Sequence, residues 1–548
     1  MFVPNLILTL REGYGLRDLR ADATAGLTVA IVALPLSMAI AIASGATPAM
    51  GLTTAIVGGF LVSALGGSRF QIGGPAGAFI VLIAGTIAAH GIDGLILATM
   101  ISGVMLLALG ALRLGDYVQF IPFPVTVGFT AGIAAIIFAS QISPLLGLTL
   151  AGPEPAELLH KLPALWDALP SIDPATCALS AATIAVMLGL KRWRPHWPRM
   201  LIAVALAALA AWALALPVAT IGGVFGALPA HPPAPRLPDV DLAKVVAVLP
   251  AAVAFTLLGA SESLLSAVVA DGMSGARHDS NTELAAQGIA NIGAALFGGF
   301  CVTGTIARTA TNVRAGAHGP VAGMLHAAFL LGFLLVAAPL VGYVPLAALA
   351  GVLTLVAWDM VEKPAIAALT RASRGDAAVL YVTLLLTIFR DLTEAIVVGF
   401  GLGAMLFIHR MSTAVEVAPQ ALRAEADRFD PDAAADPEVM IYRIRGAVFF
   451  GAVSAVASVL ERLGEHHKVL VIDCAGVTLV DSSAAHMIEG LAHKAHRQGV
   501  AVYITGAAPE LRRAFLTHGA RPPLVRYSSS IATALESARR RGLTTTTA

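Results

Sequence analysis

The chain has 548 residues, 57% of them hydrophobic and only 13% charged, and its formal net charge is +1. Soluble domains carry about 25% charged residues, so a wholly soluble protein is excluded, and a net charge this small excludes bulk attraction to nucleic acid or to acidic surfaces. Cys177, Cys301 and Cys474 lie far apart, which suggests neither a disulfide framework nor a zinc site.

Residues 1–20 form a cytoplasmic lead-in that ends in the amphipathic Arg11–Arg20 (REGYGLRDLR) and shows no small-residue cleavage pattern of a signal peptide. Apolar segments then follow at 24–43, 48–65, 70–90, 93–112, 120–140, 176–190 and 198–216. A second set lies at 245–270, 284–300, 301–317, 318–340, 345–360, 376–390 and 392–409. A crossing helix needs about 20 apolar residues, so the spacing predicts about fourteen spans over residues 21–410. With the N-terminus inside, cytoplasmic connections carry Arg69, Arg113, Lys191, Arg192, Arg277, Arg314 and Arg371 among others, and the opposite side only Lys161, Arg236, Lys244 and Arg390. That asymmetry obeys the positive-inside rule and supports the span count; a cell inner membrane is the expected location.

Fourteen spans divide into two sevens near the Pro-rich loop 217–240. An odd number per half forces the halves into opposite orientations, as in many secondary transporters. Corresponding spans are then expected to be interrupted. The third reads FQIGGPAGAFIVLIAG and the tenth CVTGTIARTATNVRAG; each opens with a Gly-broken stretch and continues as helix, from Pro75 or from about Ile306. Irregular backbone at bilayer depth is tolerated only against protein or a wet cavity. Two half-helices meeting head-on aim free N–H groups and positive dipole ends at one point, and an anion is the natural occupant.

Two ionisable residues, Glu262 and Arg308, fall inside these apolar segments. A charge at the bilayer centre costs roughly 2.5–3.5 kcal/mol and marks a functional site. Glu262 has Ser266 one turn later on the same helical face.

Residues 411–437 read as an Ala/Asp/Pro-rich linker, and 542–548 as a disordered tail. Between them strands at 439–451, 468–476 and 500–506 alternate with helices at 481–499 and 509–519, the pattern of a small α/β layer domain over 438–541. The histidines at 466, 467, 486, 493 and 496 share no metal-ligand spacing with a Cys or acid cluster. No nucleophile–base set or nucleotide-binding loop accompanies the spans, so neither enzymatic activity nor a cofactor is expected.

The segments TAGLTVAIVALPLSMAIA, GASESLLSAVVADGM, QGIANIGAALFGG and TIARTATNVRAGA, with VIDCAGVTLVDSSA in the tail, resemble the sulfate permease (SulP) anion transporters over residues 15–540. The tail resembles a STAS domain. The resemblance implies a seven-plus-seven inverted repeat, a core of spans 1–4 and 8–11, a gate of spans 5–7 and 12–14, an elevator-like cycle and a homodimer. It implies anion contacts from Gly74, Ala76, Gly77, Ala78 and Phe79 on one half-helix, and from Gly304, Thr305, Ile306 and Arg308 on the other. It implies a coupling cation at Glu262 and Ser266, sodium in bicarbonate-type relatives or a proton in others. Sulfate is the first expectation for the anion, then bicarbonate with sodium, then a dicarboxylate with protons. A different class, a membrane-anchored STAS regulator, would leave the intramembrane charges without a task. Relatives commonly carry a glutamine after the first-span proline and an aromatic four residues on; Leu36 and Ile40 stand there, with Ser37 between. Asp481, Ser482 and Ser483 resemble a phosphorylated loop, with Ser483 the candidate site, yet an Asp or Ser before a helix is also what N-capping requires. The STAS domain implies a possible cytoplasmic protein partner.

Overall fold

The structure is a computed structural model. It describes all residues except 1–2, 119–121, 153–154, 156–157, 195–196, 228, 230–232, 239, 391, 414–415, 420–437, 452, 454–466 and 544–548. His466, most of the expected linker and most of the expected tail lie outside the described residues. The chain divides into two compact units, Met1–Phe400 and Gly401–Ala548.

The first unit is helical. Its first half runs α1 (Asn5–Arg11), α2 (Leu16–Ala43), α3 (Pro48–Thr53), a π-helical turn (Thr54–Gly58), α4 (Gly59–Leu65), β1 (Gly73–Gly74), a 3₁₀ turn (Gly77–Phe79) and α5 (Ile80–Ala111). It continues with α6 (Gly115–Val118), α7 (Phe123–Leu146), α8 (Leu158–Ala168), α9 (Pro174–Trp193), α10 (Arg199–Ala213) and α11 (Ile221–Phe225). The second half is α12 (Leu242–Ser274), α13 (Ser280–Leu296), β2 (Thr303–Gly304), α14 (Ile306–Arg314), α15 (Val321–Val341), α16 (Leu346–Met360), α17 (Lys363–Ala372), α18 (Arg374–Phe389) and α19 (Leu392–Thr413).

Among the described residues, eight helical stretches are long and apolar enough to cross a membrane by length and composition. One of them, Gly77–Ala111, bends at Gly91 (φ 69°), where the sequence places the turn between the third and fourth spans. Each remaining expected span has a shorter helix: α10, α13, α14, α16 and α18. Packing sorts them into two groups. Helix α13 lies on α5 and α4, α15 on α2 and α4, and α12 on α5 and α14, which joins spans 1–4 to spans 8–11. Helices α16 and α18 lie on α7, and α16 and α10 on α9. Close approach is bought with small residues: a Cβ on Gly26 would stand 2.5 Å from Ala322 O, and one on Gly103 2.8 Å from Gly288 O.

The second unit holds a five-stranded sheet in the order β3 (Glu416–Pro419), β4 (Val439–Val448), β5 (Val469–Val480), β6 (Ala501–Thr505) and β7 (Val525–Ser528). Strand β3 is antiparallel to β4 and the other neighbours are parallel. The expected linker is therefore partly structured, since 411–413 continue α19 and Glu416–Pro419 form an edge strand. Strand β5 alternates between two cores. Leu470, Ile472 and Cys474 face α20 (Ser482–Arg497) and α21 (Pro509–Thr517), while Val469 and Val471 face α22 (Ile531–Arg539). This period-two burial on both faces is what a central parallel strand requires.

Candidate functional site

The two Gly-broken stretches meet. Strands β1 and β2 pair antiparallel, Gly73 opposite Gly304 and Gly74 opposite Thr303. Beyond β1 the backbone stays extended through Ala76 (φ −114°, ψ 145°) before the 3₁₀ turn runs into α5. Beyond β2, Thr305 (φ −106°, ψ 115°) is the N-cap of α14. Neither N-cap side chain bonds the first turn of its helix. The leading N–H groups of each, at Gly77–Ala78 and at Ile306–Ala307, have no intrahelical acceptor, as at any helix start.

The tenth-span helix starts at Ile306, where the sequence places it. Pro75 does not open the third-span helix. It sits in the extended segment, and its carbonyl accepts from Arg308 Nη2 at 2.6 Å; inside a first turn that oxygen would be taken by a helical N–H.

Polar side chains satisfy the broken backbone. Ser263 Oγ accepts from Gly304 N (3.1 Å) and shares a hydrogen bond with Thr303 Oγ1 (2.8 Å). Ser266 Oγ donates to Thr309 Oγ1 (3.0 Å), which also accepts from Ile72 N (3.1 Å). Thr305 N donates to Ile72 O (3.0 Å), and Asn312 Nδ2 to Phe70 O (2.9 Å). Asn291 brackets Val302, accepting from its N–H and donating to its carbonyl, both at 2.9 Å. In a lipid-surrounded core each of these groups left unpaired would cost several kcal/mol.

Of the expected anion-contact residues, Gly74, Ala76, Ala78, Phe79, Gly304, Thr305 and Arg308 are buried, and Gly77 and Ile306 are partly open. Gly74 lies under the guanidinium: a Cβ there would stand 2.3 Å from Arg308 Nη1. Gly77 faces the other helix group, where a Cβ would be 3.5 Å from Ile137 Cδ1 on α7 and 3.7 Å from Met360 Sδ on α16. The Phe79 ring turns towards α12 and meets Phe255 with centroids 6.0 Å apart. Leu36, Ser37 and Ile40 are buried, on a helix that packs against α15, α3 and α14.

Glu262 is half-buried and makes no hydrogen bond or ion pair among the described residues, with Arg308 or any other group. Its neighbour Ser266 is fully buried and committed to Thr309.

A second buried carboxylate escaped the sequence reading. Glu283 accepts from Ser68 N (3.0 Å), Gln71 Nε2 (2.9 Å) and Gln287 Nε2 (3.0 Å). Gln71 in turn lies against Gly304, where a Cβ would be 2.0 Å from its Nε2. The signal was present: Glu283, Gln287 and Asn291 recur every four residues and form a polar stripe on an otherwise apolar helix. Asp22 was missed as well. It is buried and accepts from Tyr14 Oη (2.7 Å), His318 N (2.6 Å) and Gly319 N (3.0 Å), tying the lead-in to the start of α15. Burial, then this bond, holds the Tyr14 hydroxyl above its ordinary range.

In the second unit Asp481 caps α20, accepting from Ala484 N (2.8 Å) and from Phe450 N (3.0 Å). Ser483 is exposed on the first turn. Burial, then the Asp473 charge, pushes the Cys474 thiol up to about 12, so it is protonated and inert at neutral pH.

Comparison with known proteins decides the family. The model of the sulfate permease family matches residues 19–383, and that of the STAS domain matches 430–534. The chain belongs to the sulfate permease family. It is 38% identical to the putative sulfate transporter YvdB of Bacillus subtilis (strain 168), over 90% of this chain and 93% of that one. It is 31% identical to the bicarbonate transporter BicA of Picosynechococcus sp., over 91% and 90%. The solved structure of SLC26A9 superposes with a TM-score of 0.85 at 16% identity, covering 98% of this chain and 92% of that one, a likeness of fold alone. In this sulfate permease the β1–β2 crossing joins the two halves where the third and tenth spans are both interrupted.

Proposed function

We propose that this chain is a secondary active transporter of a small inorganic oxyanion, sulfate first, that works by an elevator-like movement of spans 1–4 and 8–11 against the rest. The observation that carries the reading is the crossing: two helix starts without side-chain caps converge beside the buried guanidinium of Arg308. Within the Gly74–Phe79 and Gly304–Ile306 segments the anion binds the N–H groups that have no acceptor, at Gly77, Ala78 and Ile306, while those of Gly304 and Thr305 are held by Ser263 Oγ and Ile72 O. Arg308, buried behind Gly74, contributes positive potential without touching it. Gly77 and Ile306 are the partly exposed residues of the two segments, and Gly77 faces Ile137 and Met360. Glu262 holds the coupling cation, sodium or a proton, with Ser266 below it, so that the moving core is charge-balanced when loaded. The transport unit is residues 21–410, in a cell inner membrane as a homodimer. The STAS domain over 438–541 is cytoplasmic and offers Ser483 for modification and a surface for a protein partner. Similarity to YvdB favours sulfate.

A second reading, sodium-coupled bicarbonate, is favoured by the similarity to BicA and by the unpaired state of Glu262. An ion-swap assay in proteoliposomes separates the two. Labelled sulfate, bicarbonate and fumarate are compared, each under a sodium gradient at constant pH and under a proton gradient. The first reading predicts sulfate uptake driven by one of the gradients, and a loss of that drive in Glu262→Gln. Because Glu262 makes no structural bond, the variant should keep wild-type thermal stability. Absence of flux for every anion sinks the transporter reading and favours the membrane-anchored regulator.

A further inference from the structure

Helix α13 grips both interrupted stretches. On its first turn Glu283, completely buried, accepts from Ser68 N (3.0 Å) and Gln71 Nε2 (2.9 Å), both in the segment that leads into β1. Further along, Asn291 accepts from Val302 N and donates to Val302 O, both at 2.9 Å, and Val302 is the residue before β2. The two grips are about 12 Å apart along the helix at 1.5 Å per residue. One straight element thus sets where each arm enters the crossing.

Gln71 ties the arms more closely. Its main chain belongs to the β1 arm, but its side chain lies on the β2 arm, where a Cβ on Gly304 would collide with Nε2 and Cδ. Gly304 is paired with Gly73, and α14 begins two residues later. The amide is therefore a plate set against the backbone from which the Ile306 N–H projects. What orients that plate is Glu283. The carboxylate meets only donors: Ser68 N on Oε2, and the Nε2 groups of Gln71 and Gln287 on Oε1. Both glutamines turn their donor ends to it, and the Oε1 of each is left without a partner among the described residues. A protonated carboxyl needs an acceptor and would turn one amide round, so this arrangement is that of an ionised carboxylate, to which hydrogen bonds are strong.

We propose that Glu283 is a positioning residue for the anion site: acting through Gln71, it holds β2 and the start of α14 in place against β1, so that the free N–H groups at Gly77, Ala78 and Ile306 face one point. This rests on the reading of the crossing as the anion site. Released from Glu283, the Gln71 amide is free to turn, and its support of Gly304 is lost. Both residues belong to the group of spans 1–4 and 8–11, so the step they tune is anion binding and not the movement of that group.

The test is uptake of labelled sulfate and labelled bicarbonate by the full-length protein in proteoliposomes. Glu283→Met, similar in size but without an acceptor oxygen, should raise the anion KM about 5- to 10-fold, with Vmax per folded protein within about twofold of wild type. Gln71→Met, which leaves the Ser68 and Gln287 bonds to Glu283 in place, should raise KM by a similar factor. The double variant should be no worse than the larger single effect, because both break one connection. A carboxylate with only a structural role would lower thermal stability and the yield of active protein and leave KM alone. A wild-type KM in either single variant therefore overturns the proposal, as does a double variant in which the two effects multiply. Should Glu283→Met not fold, Gln71→Met decides by itself. Absence of flux for both anions in the wild type sinks the transporter reading; flux with an unchanged KM in the variants sinks only the present inference.

Discussion

The β1 arm of the crossing reaches its helix through Gly74, Pro75 and Ala76 and carries no ionisable side chain, whereas the β2 arm places Thr305, Arg308, Thr309 and Asn312 on the buried side of α14. The two arms correspond in the inverted halves, yet the side chains that bond across them belong to the β2 arm. Thr305, Arg308 and Asn312 donate to the carbonyls of Ile72, Pro75 and Phe70, and Thr309 accepts from the Ile72 N–H. One arm supplies main chain and the other supplies the side chains that satisfy it. Symmetry of the backbone is thus kept while the chemistry is divided. Arg308, the buried cation of the crossing, doubles as a structural donor.

That division can be broken from either side. The largest effect is expected from Arg308→Ala, which removes the charge and leaves Pro75 O buried and unpaired at a cost of about 1–3 kcal/mol. Uptake in proteoliposomes should fall at least tenfold. Gly74→Ala should reproduce most of that loss with the arginine intact, because its Cβ would stand 2.3 Å from Arg308 Nη1. Normal flux in Gly74→Ala would show that the guanidinium need not lie where it does. Next is Thr309→Val, nearly the same shape without the hydroxyl that joins Ser266 to Ile72 N. Thermal unfolding should show destabilisation of about 1–3 kcal/mol, with Thr309→Ser close to wild type. The smallest effect belongs to Gly77→Ala, whose added methyl makes only ordinary contacts with Ile137 and Met360. Stability should be unchanged and the anion KM should rise by a few-fold at most, which a concentration series of labelled sulfate would measure.

Much of this arrangement was legible in the chain. Apolar run length and the Arg/Lys asymmetry gave the spans, and the paired Gly-broken stretches pointed to the crossing before any coordinates. What the sequence could not express was which distant group would complete each irregular segment. Pro75 looks like a first helical residue because proline is favoured there. Only contact with Arg308 makes its carbonyl worth more in an extended segment. The Glu283–Gln287–Asn291 stripe is written at helical spacing, but Glu283 stands just before the apolar run at 284–300 and so resembles an interfacial charge in the sequence. In the second unit β3, β7 and α22 are too short or too mixed in pattern to stand out from their flanking loops. They are held by pairing and by the second core, not by local preference.

Pro75 and Arg308 are 233 residues apart in sequence. At a synthesis rate of roughly 5–20 residues per second, the β1 arm leaves the ribosome about 12 to 47 seconds before the side chains that complete it. During that interval Phe70, Ile72 and Pro75 have main-chain groups with no destined partner in the nascent protein. The first seven spans therefore cannot settle into their final depth on their own. The broken third span is expected to wait at the membrane surface or inside the insertion machinery until the tenth arrives. A crossing built from both halves makes the membrane unit a late-closing assembly, in which the last commitment of the early helices is made by a segment translated long after them.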